Sequence, residues 1–167
     1  PISRQHPGLV AVLQVGRDDQ SGFYYYVMEV ADDLHGCVKI DPAHYTPHTF
    51  RTTLMENGPL DLIRCAHQGA QLADALHFLH SNDLIHRDVK LSNVILVQGH
   101  AKLADIGVVA AVGDRSFVGT EGYVPPEGAG TASADIFSLG MVLYELATGK
   151  DRLDFPDIPT GFREMSD

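Results

Sequence analysis

Residues 84–93 form a polar, aperiodic segment between two strongly patterned stretches of the chain. Before it, apolar residues recur at helical spacing over residues 60–80, which is typical of an amphipathic helix. After it, apolar runs at residues 94–97 and 101–104 are joined through Gln98-Gly99, which predicts a β-hairpin. A loop flanked by two rigid elements can hold several polar side chains at fixed distances. The pattern therefore predicts a functional loop between a helix and a hairpin.

Helical periodicity predicts three helices. Pro59 stands at the first position of the long helix over residues 60–80. The side chains predicted to face the core from this helix are Leu62, Ile63, Ala66, Ala70, Ala73, Leu76 and Leu79. A second helix over residues 134–148 precedes Gly149, and its predicted apolar face is Ile136, Leu139, Leu143 and Leu146. A short helix over residues 47–56 is stopped by Asn57-Gly58.

Two β-branched and aromatic runs, residues 10–15 and 23–30, predict a pair of antiparallel strands near the start of the chain. Residues 31–46 have no period and predict a long loop. Residues 105–130 are rich in glycine and proline and predict a second long, ordered loop, and such loops in compact domains are usually functional. Helices and antiparallel strands in separate stretches indicate an α+β fold.

Composition excludes several classes of protein. The 167 residues include 22 acidic and 12 basic side chains, a formal charge of −10, which argues against a nucleic-acid partner. Cys37 and Cys65 form neither a disulfide framework nor a paired metal motif, so we expect a reducing, cytoplasmic location. No apolar run approaches the ~18 residues of a membrane span, so we expect no membrane contact from this segment. The chain opens with Pro1, which indicates an internal piece of a longer protein.

Four polar residues in and after the loop suit phosphoryl chemistry. Asp88, Asn93 and Asp105 offer hard oxygen ligands of the kind that Mg²⁺ prefers, and Lys90 offers positive charge for a phosphoryl group. One carboxylate can accept the proton of an incoming hydroxyl. Phosphoryl transfer depends mostly on positioning and charge neutralisation, which this set supplies.

Four sequence motifs resemble those of protein kinases. His86-Arg87-Asp88-Val89-Lys90-Leu91-Ser92-Asn93 resembles the catalytic loop H-R-D-x-K-x-x-N, and Asp105-Ile106-Gly107 stands where the family has D-F-G. Residues 119–127, GTEGYVPPE, resemble the segment G-T-x-x-Y…A-P-E. Residues 135–140, DIFSLG, resemble the helix start D-x-x-S-L-G. Four motifs in the right order are far more specific than one. The likeness covers essentially the whole chain and is greatest to bacterial Ser/Thr kinases of the eukaryotic type.

The resemblance implies transfer of the ATP γ-phosphate to Ser or Thr of a protein substrate, with Mg²⁺. It implies that Asp88 is the catalytic base, that Lys90 steadies the transferred phosphate, and that Asn93 and Asp105 hold the metal. The strand 23–30 would then enter the hinge, and the residues implied to bind the nucleotide are Met28, the carbonyl of Glu29, the N–H of Ala31 and, as the floor of the adenine pocket, Ile95.

The resemblance also implies structural and regulatory residues around the loop. Thr120 would brace Asp88, Asp135 would hold the backbone of the catalytic loop, and His86 belongs to the loop motif itself. Arg87 would grip a phosphate on Ser116, the hydroxyl between Asp105 and Thr120. Residues 106–114 contain no Lys or Arg, so Arg115 is the one basic residue of this segment that could assist Arg87. We therefore expect phosphorylation of Ser116 to raise activity only modestly. Glu127 would lack the arginine partner that the family supplies on a later helix.

Departures from the family pattern concern the start of the domain. The sequence contains no G-x-G-x-x-G and no V-A-I-K lysine before the hinge strand. We therefore expect residues 1–167 to be a partial kinase domain, with residues 1–30 the end of the N-terminal lobe and residues 31–167 the first part of the mainly helical C-terminal lobe. We expect this segment alone to be inactive. Ile106 replaces the phenylalanine of D-F-G and keeps an apolar side chain there.

Several readings stay open from the residues alone. The alternative function is a pseudokinase, a nucleotide-binding or scaffold module without transfer, although such a module has no need of a positioned base. Asp32-Asp33 either attracts a basic substrate or is a solvated acidic surface. His77 and His80 lie one helical turn apart and could chelate a metal, but no third ligand is in register.

Overall fold

The computed structural model describes residues 1–36, 40–105, 110–111 and 119–157. In these residues three helices accompany three two-stranded antiparallel sheets, which confirms the predicted α+β class. Cys37, Ile106, Gly107 and Ser116, to which the sequence analysis refers, lie outside the described residues.

The first sheet pairs β1 (Val12–Asp18) with β2 (Phe23–Met28). The pairing runs from Val12 opposite Met28 to Asp18 opposite Phe23, so the predicted antiparallel pair is confirmed. All of β2 is exposed, including its tyrosines. The sheet therefore presents an aromatic surface.

Helix α1 (Phe50–Asn57) confirms the predicted short helix. Thr49 caps it, since its side chain accepts a hydrogen bond from the Thr52 N–H at 3.0 Å while the Thr52 hydroxyl accepts one from the Thr49 N–H at 2.8 Å. Such a reciprocal capping box satisfies two backbone donors at the helix start. The helix ends before Gly58, whose φ of +72° suits glycine.

Helix α2 (Leu62–His80) starts later than predicted. Pro59 lies before the helix, and Asp61 caps it by accepting a hydrogen bond from the Arg64 N–H at 2.9 Å. The predicted apolar face was wrong in its first half, because Ile63 is 84% exposed. The buried residues are Cys65, Gly69, Leu72, Ala75, Leu76 and Leu79. Small residues face inward there because the third helix approaches closely: a Cβ on Gly69 would lie 2.9 Å from Leu143 Cδ1.

Helix α3 (Ala132–Thr148) packs against α2. Thr131 caps its start, and Gly149, with φ of +70°, ends it as predicted. The prediction for Ile136 was wrong, since this side chain is 50% exposed. The inward face instead mixes apolar residues with the buried polar residues Asp135, Ser138 and Glu145. No helix in the described ranges combines the length and the apolar character needed to cross a bilayer.

The predicted hairpin is confirmed as β4 (Val94–Val97) and β5 (His100–Leu103). Its turn is held from outside, because the Asp32 carboxylate accepts hydrogen bonds from the N–H groups of Gln98 and Gly99, each at 2.8 Å. Asp33 is buried and accepts one from the Thr46 N–H at 3.2 Å. The buried Asp33 is therefore not a solvated surface residue, and the half-buried Asp32 has a structural role at the hairpin turn.

A third sheet escaped the sequence analysis. β3 (Leu84–Ile85) pairs antiparallel with β6 (Ala110–Ala111), inside stretches that were predicted to be loops. A strand of two residues carries no detectable period, so the sequence pattern could not reveal it. The pairing connects the start of the polar loop with the segment that follows Asp105, so both ends of the predicted site are tied to one another.

The main core lies between α2, α3 and the hairpin. Its fully buried members are led by Leu72, Leu76, Leu79, Leu103, Val142 and Leu146. The polar loop runs from the end of α2 to β4 across the edge of this core, and its apolar residues Val89 and Leu91 are themselves buried in it. The loop is therefore anchored by its own side chains as well as by its two neighbours.

Candidate active site

Asp135 anchors the backbone at the start of the polar loop. Its carboxylate accepts hydrogen bonds from the N–H groups of His86 and Arg87, each at 2.8 Å, and lies 2.8 Å from His80 Nε2. The side chain is 1% exposed and stands in the first turn of α3, where a negative charge is favourable. A buried carboxylate with three donors fixes the loop relative to α3.

His86 connects the loop with the strand that precedes Asp105. Its ring is fully buried, and burial lowers its pKa, so the ring is held neutral. Nε2 lies 3.0 Å from the carbonyl of Ala104 and must donate, since a carbonyl cannot. Nδ1 is then the acceptor, 3.4 Å from the Asp88 N–H. One neutral tautomer thus joins residues on both sides of the site.

Arg87 and Asp105 both have left-handed backbone geometry. Their φ angles are +73° and +60°, a region that side-chain-bearing residues seldom adopt. Arg87 is also buried. Such strain persists only where the surroundings hold it, and it is common at functional sites. Here the surroundings include the Asp135 hydrogen bond to Arg87 and the Ala104 carbonyl contact next to Asp105.

Asp88 lies at the centre of the site. Its Oδ2 accepts hydrogen bonds from Lys90 Nζ at 2.6 Å and from Asn93 Nδ2 at 2.9 Å. Its Oδ1 accepts one from the Thr120 hydroxyl at 2.9 Å. Lys90 Nζ also lies 3.0 Å from Thr120 Oγ1. Three donors from the loop and from the later segment therefore hold one carboxylate in a single orientation.

Asn93 is oriented by its amide nitrogen. Nδ2 donates to the Asp88 carbonyl at 2.8 Å as well as to the Asp88 carboxylate, and no hydrogen bond to Asn93 Oδ1 is found in the described part of the chain. The Asn93 carbonyl accepts from the Ala104 N–H at 2.7 Å, in continuation of the β4–β5 ladder. Asp105 follows directly, so the hairpin brings the Asn93 amide oxygen and the Asp105 carboxylate to the same end.

Tyr26 touches the site and was missed by the sequence analysis. Its hydroxyl donates to Asp105 Oδ1 at 3.1 Å. Burial and the nearby Asp105 charge raise the pKa of Tyr26. The available signal was strand alternation, because Tyr26 and Met28 are two residues apart on β2 and point to the same side of the sheet. Through this hydrogen bond the first sheet contacts Asp105, one of the two predicted metal ligands.

The four predicted nucleotide-binding residues fall at the junction of β2 and the hairpin. Met28 is the last residue of β2 and is partly exposed. Glu29 uses its side chain structurally, accepting hydrogen bonds from the Ala11 N–H at 2.8 Å and from Lys102 Nζ at 2.7 Å. Ala31 and Ile95 are buried in one small apolar cluster. The Ala31 N–H has no hydrogen-bond partner among the described residues.

The remaining predicted residues are less connected. Glu127 is exposed, and no ion pair is found for it in the described ranges. Ser116 lies outside those ranges, so its relation to Arg87 stays a prediction. His80 contacts Asp135, and no set of three His, Cys, Asp or Glu side chains in the described part of the chain could hold a metal, which leaves the His77–His80 pair without support.

A buried group beside the site also escaped the sequence analysis. The Tyr123 hydroxyl donates to the Glu145 carboxylate, and burial raises the pKa of this tyrosine. The Arg152 guanidinium lies 4.8 Å above the Tyr123 ring and 3.8 Å from Glu145 Oε1. Arg152 follows the end of α3 in a stretch with no periodic pattern, so no signal in the sequence pointed to it. The group ties the segment after Thr120 to α3.

Comparison with known proteins agrees with these motifs. The protein kinase domain matches residues 2–159. The chain is 29% identical over 163 residues to the serine/threonine-protein kinase PrkC of Bacillus subtilis, covering 91% of the chain and 23% of PrkC. It is 33% identical over 159 residues to the serine/threonine-protein kinase PknB of Mycobacterium leprae, covering 87% and 23%.

A third relative has a higher identity over a shorter stretch. The serine/threonine-protein kinase PkaA of Streptomyces coelicolor is 40% identical over 111 residues, covering 58% of the chain and 20% of PkaA. The chain thus spans about a fifth to a quarter of the length of the curated relatives it matches. Since the domain match covers nearly the whole sequence, and the loop geometry accompanies it, the chain belongs to the protein kinase family.

Proposed function

We propose that this chain contributes the catalytic loop and metal-binding end of a kinase that transfers the γ-phosphate of ATP to Ser or Thr of protein substrates. The observation that carries the proposal is the single orientation of Asp88, fixed by Lys90, Asn93 and Thr120. A module that only binds nucleotide has no use for a carboxylate held in this way. We further propose that residues 1–30 end an N-terminal lobe and that residues 31–167 begin the C-terminal lobe of a longer catalytic domain.

Asp88 is the proposed base. Because hydrogen bonds from Thr120 and from Lys90 and Asn93 hold its two oxygens, the carboxylate cannot rotate away from an incoming hydroxyl. It would orient that hydroxyl and accept its proton. Lys90, which bridges Asp88 and Thr120, would place its positive charge beside the transferred phosphoryl group. The contribution of such positioning is large because phosphoryl transfer makes few covalent demands on the protein.

Asn93 and Asp105 fit a magnesium ion by the chemistry of their donor atoms. Each offers a hard oxygen, and Asn93 keeps Oδ1 available because its amide nitrogen is bound to Asp88. Asp105 keeps Oδ2 available while Oδ1 accepts the Tyr26 hydrogen bond. These two residues would bind the Mg²⁺ that accompanies ATP. The ion would neutralise part of the negative charge of the phosphates.

The nucleotide base would lie at the junction of β2 and the hairpin. The Ala31 N–H and the Glu29 carbonyl would meet the adenine edge, and Ile95 would form the floor with its apolar neighbours. Met28 would line the inner end. His86, Arg87 and Asp135 would act as positioning residues, since they hold the loop backbone and touch no substrate. We propose regulation by a phosphate on Ser116, contacted by Arg87, as a modest effect only.

Replacing Asp105 by Asn tests the metal assignment. In the full-length gene product that contains this chain, we expect the Mg²⁺ concentration for half-maximal activity to rise at least ~10-fold, because one anionic ligand becomes neutral. Loss of a residue that only hydrogen-bonds to a metal ligand already lowers metal affinity by ~10-fold or more. Mg²⁺ dependence of nucleotide binding, measured by calorimetry, should shift in the same direction.

Asp83→Asn is the matched control for this test. Asp83 is exposed and has φ of +58°, close to the +60° of Asp105, so both substitutions place Asn in the same backbone conformation. We expect the control to leave the Mg²⁺ titration unchanged. An Asp105→Asn protein with the wild-type Mg²⁺ titration would remove Asp105 from the metal site.

A further inference from the structure

A cavity of about 250 Å³ lies beside the candidate active site and shares Lys90 and Thr120 with it. Three of its lining side chains are cationic: Arg51 from α1, Lys90 from the loop and Arg152 from the stretch after α3. Thr120 and Tyr123 complete the wall toward the segment that follows the site. The three cations come from parts of the sequence that are far apart, so the cavity is a product of the fold.

The charge of this cavity is opposite to that of the chain. The formal charge of the whole sequence is −10, yet no Asp or Glu is among the residues that line the cavity. The carboxylates that pair with its cations lie outside the lining: Asp88 is 2.6 Å from Lys90, and Asp151 and Glu145 are 3.5 Å and 3.8 Å from Arg152. Two of the three cations are therefore compensated from outside the lining, and the positive character of the cavity is concentrated at Arg51.

Arg51 is the cation without compensation. It is exposed in the first turn of α1, and neither an ion pair nor a hydrogen bond is found for its side chain among the described residues. Lys90, in contrast, has one carboxylate neighbour and Arg152 has two. A ligand carboxylate would thus give Arg51 a partner that the described protein does not provide.

Arg152 is held in place before any ligand arrives. Its Nε donates to the Glu121 carbonyl at 2.7 Å, and its guanidinium stacks over the Tyr123 ring. Because these contacts already restrict the side chain, a ligand would not have to order it on binding. The remaining N–H groups of a guanidinium can form paired hydrogen bonds with a carboxylate.

The cavity lies next to the place where the acceptor hydroxyl of a substrate would meet Asp88. Lys90 and Thr120 line the cavity, and both are hydrogen-bonded to Asp88. An extended peptide advances ~3.3 Å per residue, so a peptide whose hydroxyl meets Asp88 can place a neighbouring side chain in the cavity. Because Lys90 and Thr120 each contact Asp88 directly, we infer a spacing of one to three residues between the acceptor and that side chain.

We propose that this cavity is a specificity subsite for an acidic side chain, Asp or Glu, located one to three residues from the acceptor Ser or Thr of a protein substrate. The inference rests on the proposed function and names the substrate class of the same site. Since this chain carries a formal charge of −10, the subsite provides discrimination by position and not by general attraction.

Peptide binding tests the subsite without requiring transfer. Peptides with Ala in place of the acceptor are bound to the full-length gene product, with a single Glu moved through the three positions on each side, and compared with Lys at the same positions. We expect one position at which Glu binds about 3- to 10-fold more tightly than Lys, the range of partly exposed charge pairs. The difference should shrink at high salt.

Arg51→Glu tests the residues of the subsite, with Arg64→Glu as the matched control. Both change an exposed helical arginine by the same charge, but Arg64 lies on α2 and does not line the cavity. A glutamate in the first turn of α1 is favourable for the helix, so folding should be preserved. We expect Arg51→Glu to abolish or reverse the preference for Glu and Arg64→Glu to retain it.

The outcomes separate this inference from the proposed function. Position-dependent binding of Glu peptides by a protein that transfers no phosphate would overturn the proposed function and uphold the subsite. Transfer to Ser or Thr with equal affinity for Glu and Lys peptides would overturn the subsite alone. Binding of inorganic phosphate at the cavity, lost in Arg51→Glu, without any preference for Glu peptides would also overturn it and identify a phosphate site instead.

Discussion

Asp88→Asn is expected to lower the turnover of phosphoryl transfer by ~10²–10⁴-fold in the full-length gene product, which is the usual contribution of a positioned general base. The substitution preserves the size of the side chain but removes the charge that Lys90, Asn93 and Thr120 surround. One of the two terminal atoms becomes an NH₂ group that faces donors, so the orientation of the side chain is lost together with its basicity. Initial rates at saturating ATP and peptide give the measurement.

Asp19→Asn is the control for this substitution. Asp19 is exposed and pairs with Arg17 on the surface of the first sheet, so we expect unchanged turnover. Nucleotide affinity should change much less than turnover in Asp88→Asn, because Asp88 contacts the loop and is not one of the two proposed metal ligands. Wild-type turnover in Asp88→Asn would assign the base to another residue.

Asp135→Asn is expected to destabilise the catalytic loop by about 3 kcal/mol, because a buried carboxylate with three donor neighbours becomes a neutral amide. The new NH₂ group must face at least one of the backbone N–H groups of His86 and Arg87, which leaves a buried donor unsatisfied. Hydrogen exchange of the backbone amides of residues 84–93 should accelerate. The urea concentration at the midpoint of unfolding should fall.

Asp74→Asn serves as the control for the stability measurement. Asp74 is an exposed residue of α2 whose carboxylate lies 3.2 Å from His6, and surface contacts of this kind contribute little to stability. Amide exchange at the loop should be unchanged in this variant. Equal exchange rates in wild type and Asp135→Asn would mean that the loop is held by its apolar residues Val89 and Leu91 and not by Asp135.

The long elements could be predicted from the sequence because their signals are local. The spacing of apolar residues in α2 and α3, the Gln98-Gly99 turn and the two aromatic runs each reflect a geometry set by a few neighbouring residues. The loop motif predicted the roles of Asp88, Lys90 and Asn93 because these residues lie within one short segment. The role of Asp105 was predicted from the resemblance of Asp105-Ile106-Gly107 to the D-F-G motif of the family.

Features that depend on distant residues could not be predicted. Ile63 and Ile136 looked like core residues from their character, but the approach of α3 to Gly69 rotates the inward faces. The β3–β6 pair, the Tyr26 contact to Asp105 and the Arg152 contacts with Tyr123 each join residues far apart in sequence. No local period encodes such contacts. The structural role of Asp32 was not predicted, because its partners are backbone groups of a turn 66 residues later.

The most direct test of the account is phosphosite mapping by mass spectrometry after the full-length gene product is incubated with Mg-ATP and a mixture of Ser, Thr and Tyr peptides. Wild type should place phosphate on Ser and Thr peptides, and an Asp88→Asn protein prepared in parallel should leave them unmodified at the same time points. Phosphorylation at equal levels by both proteins, or nucleotide binding by wild type with no phosphorylated product, would contradict it.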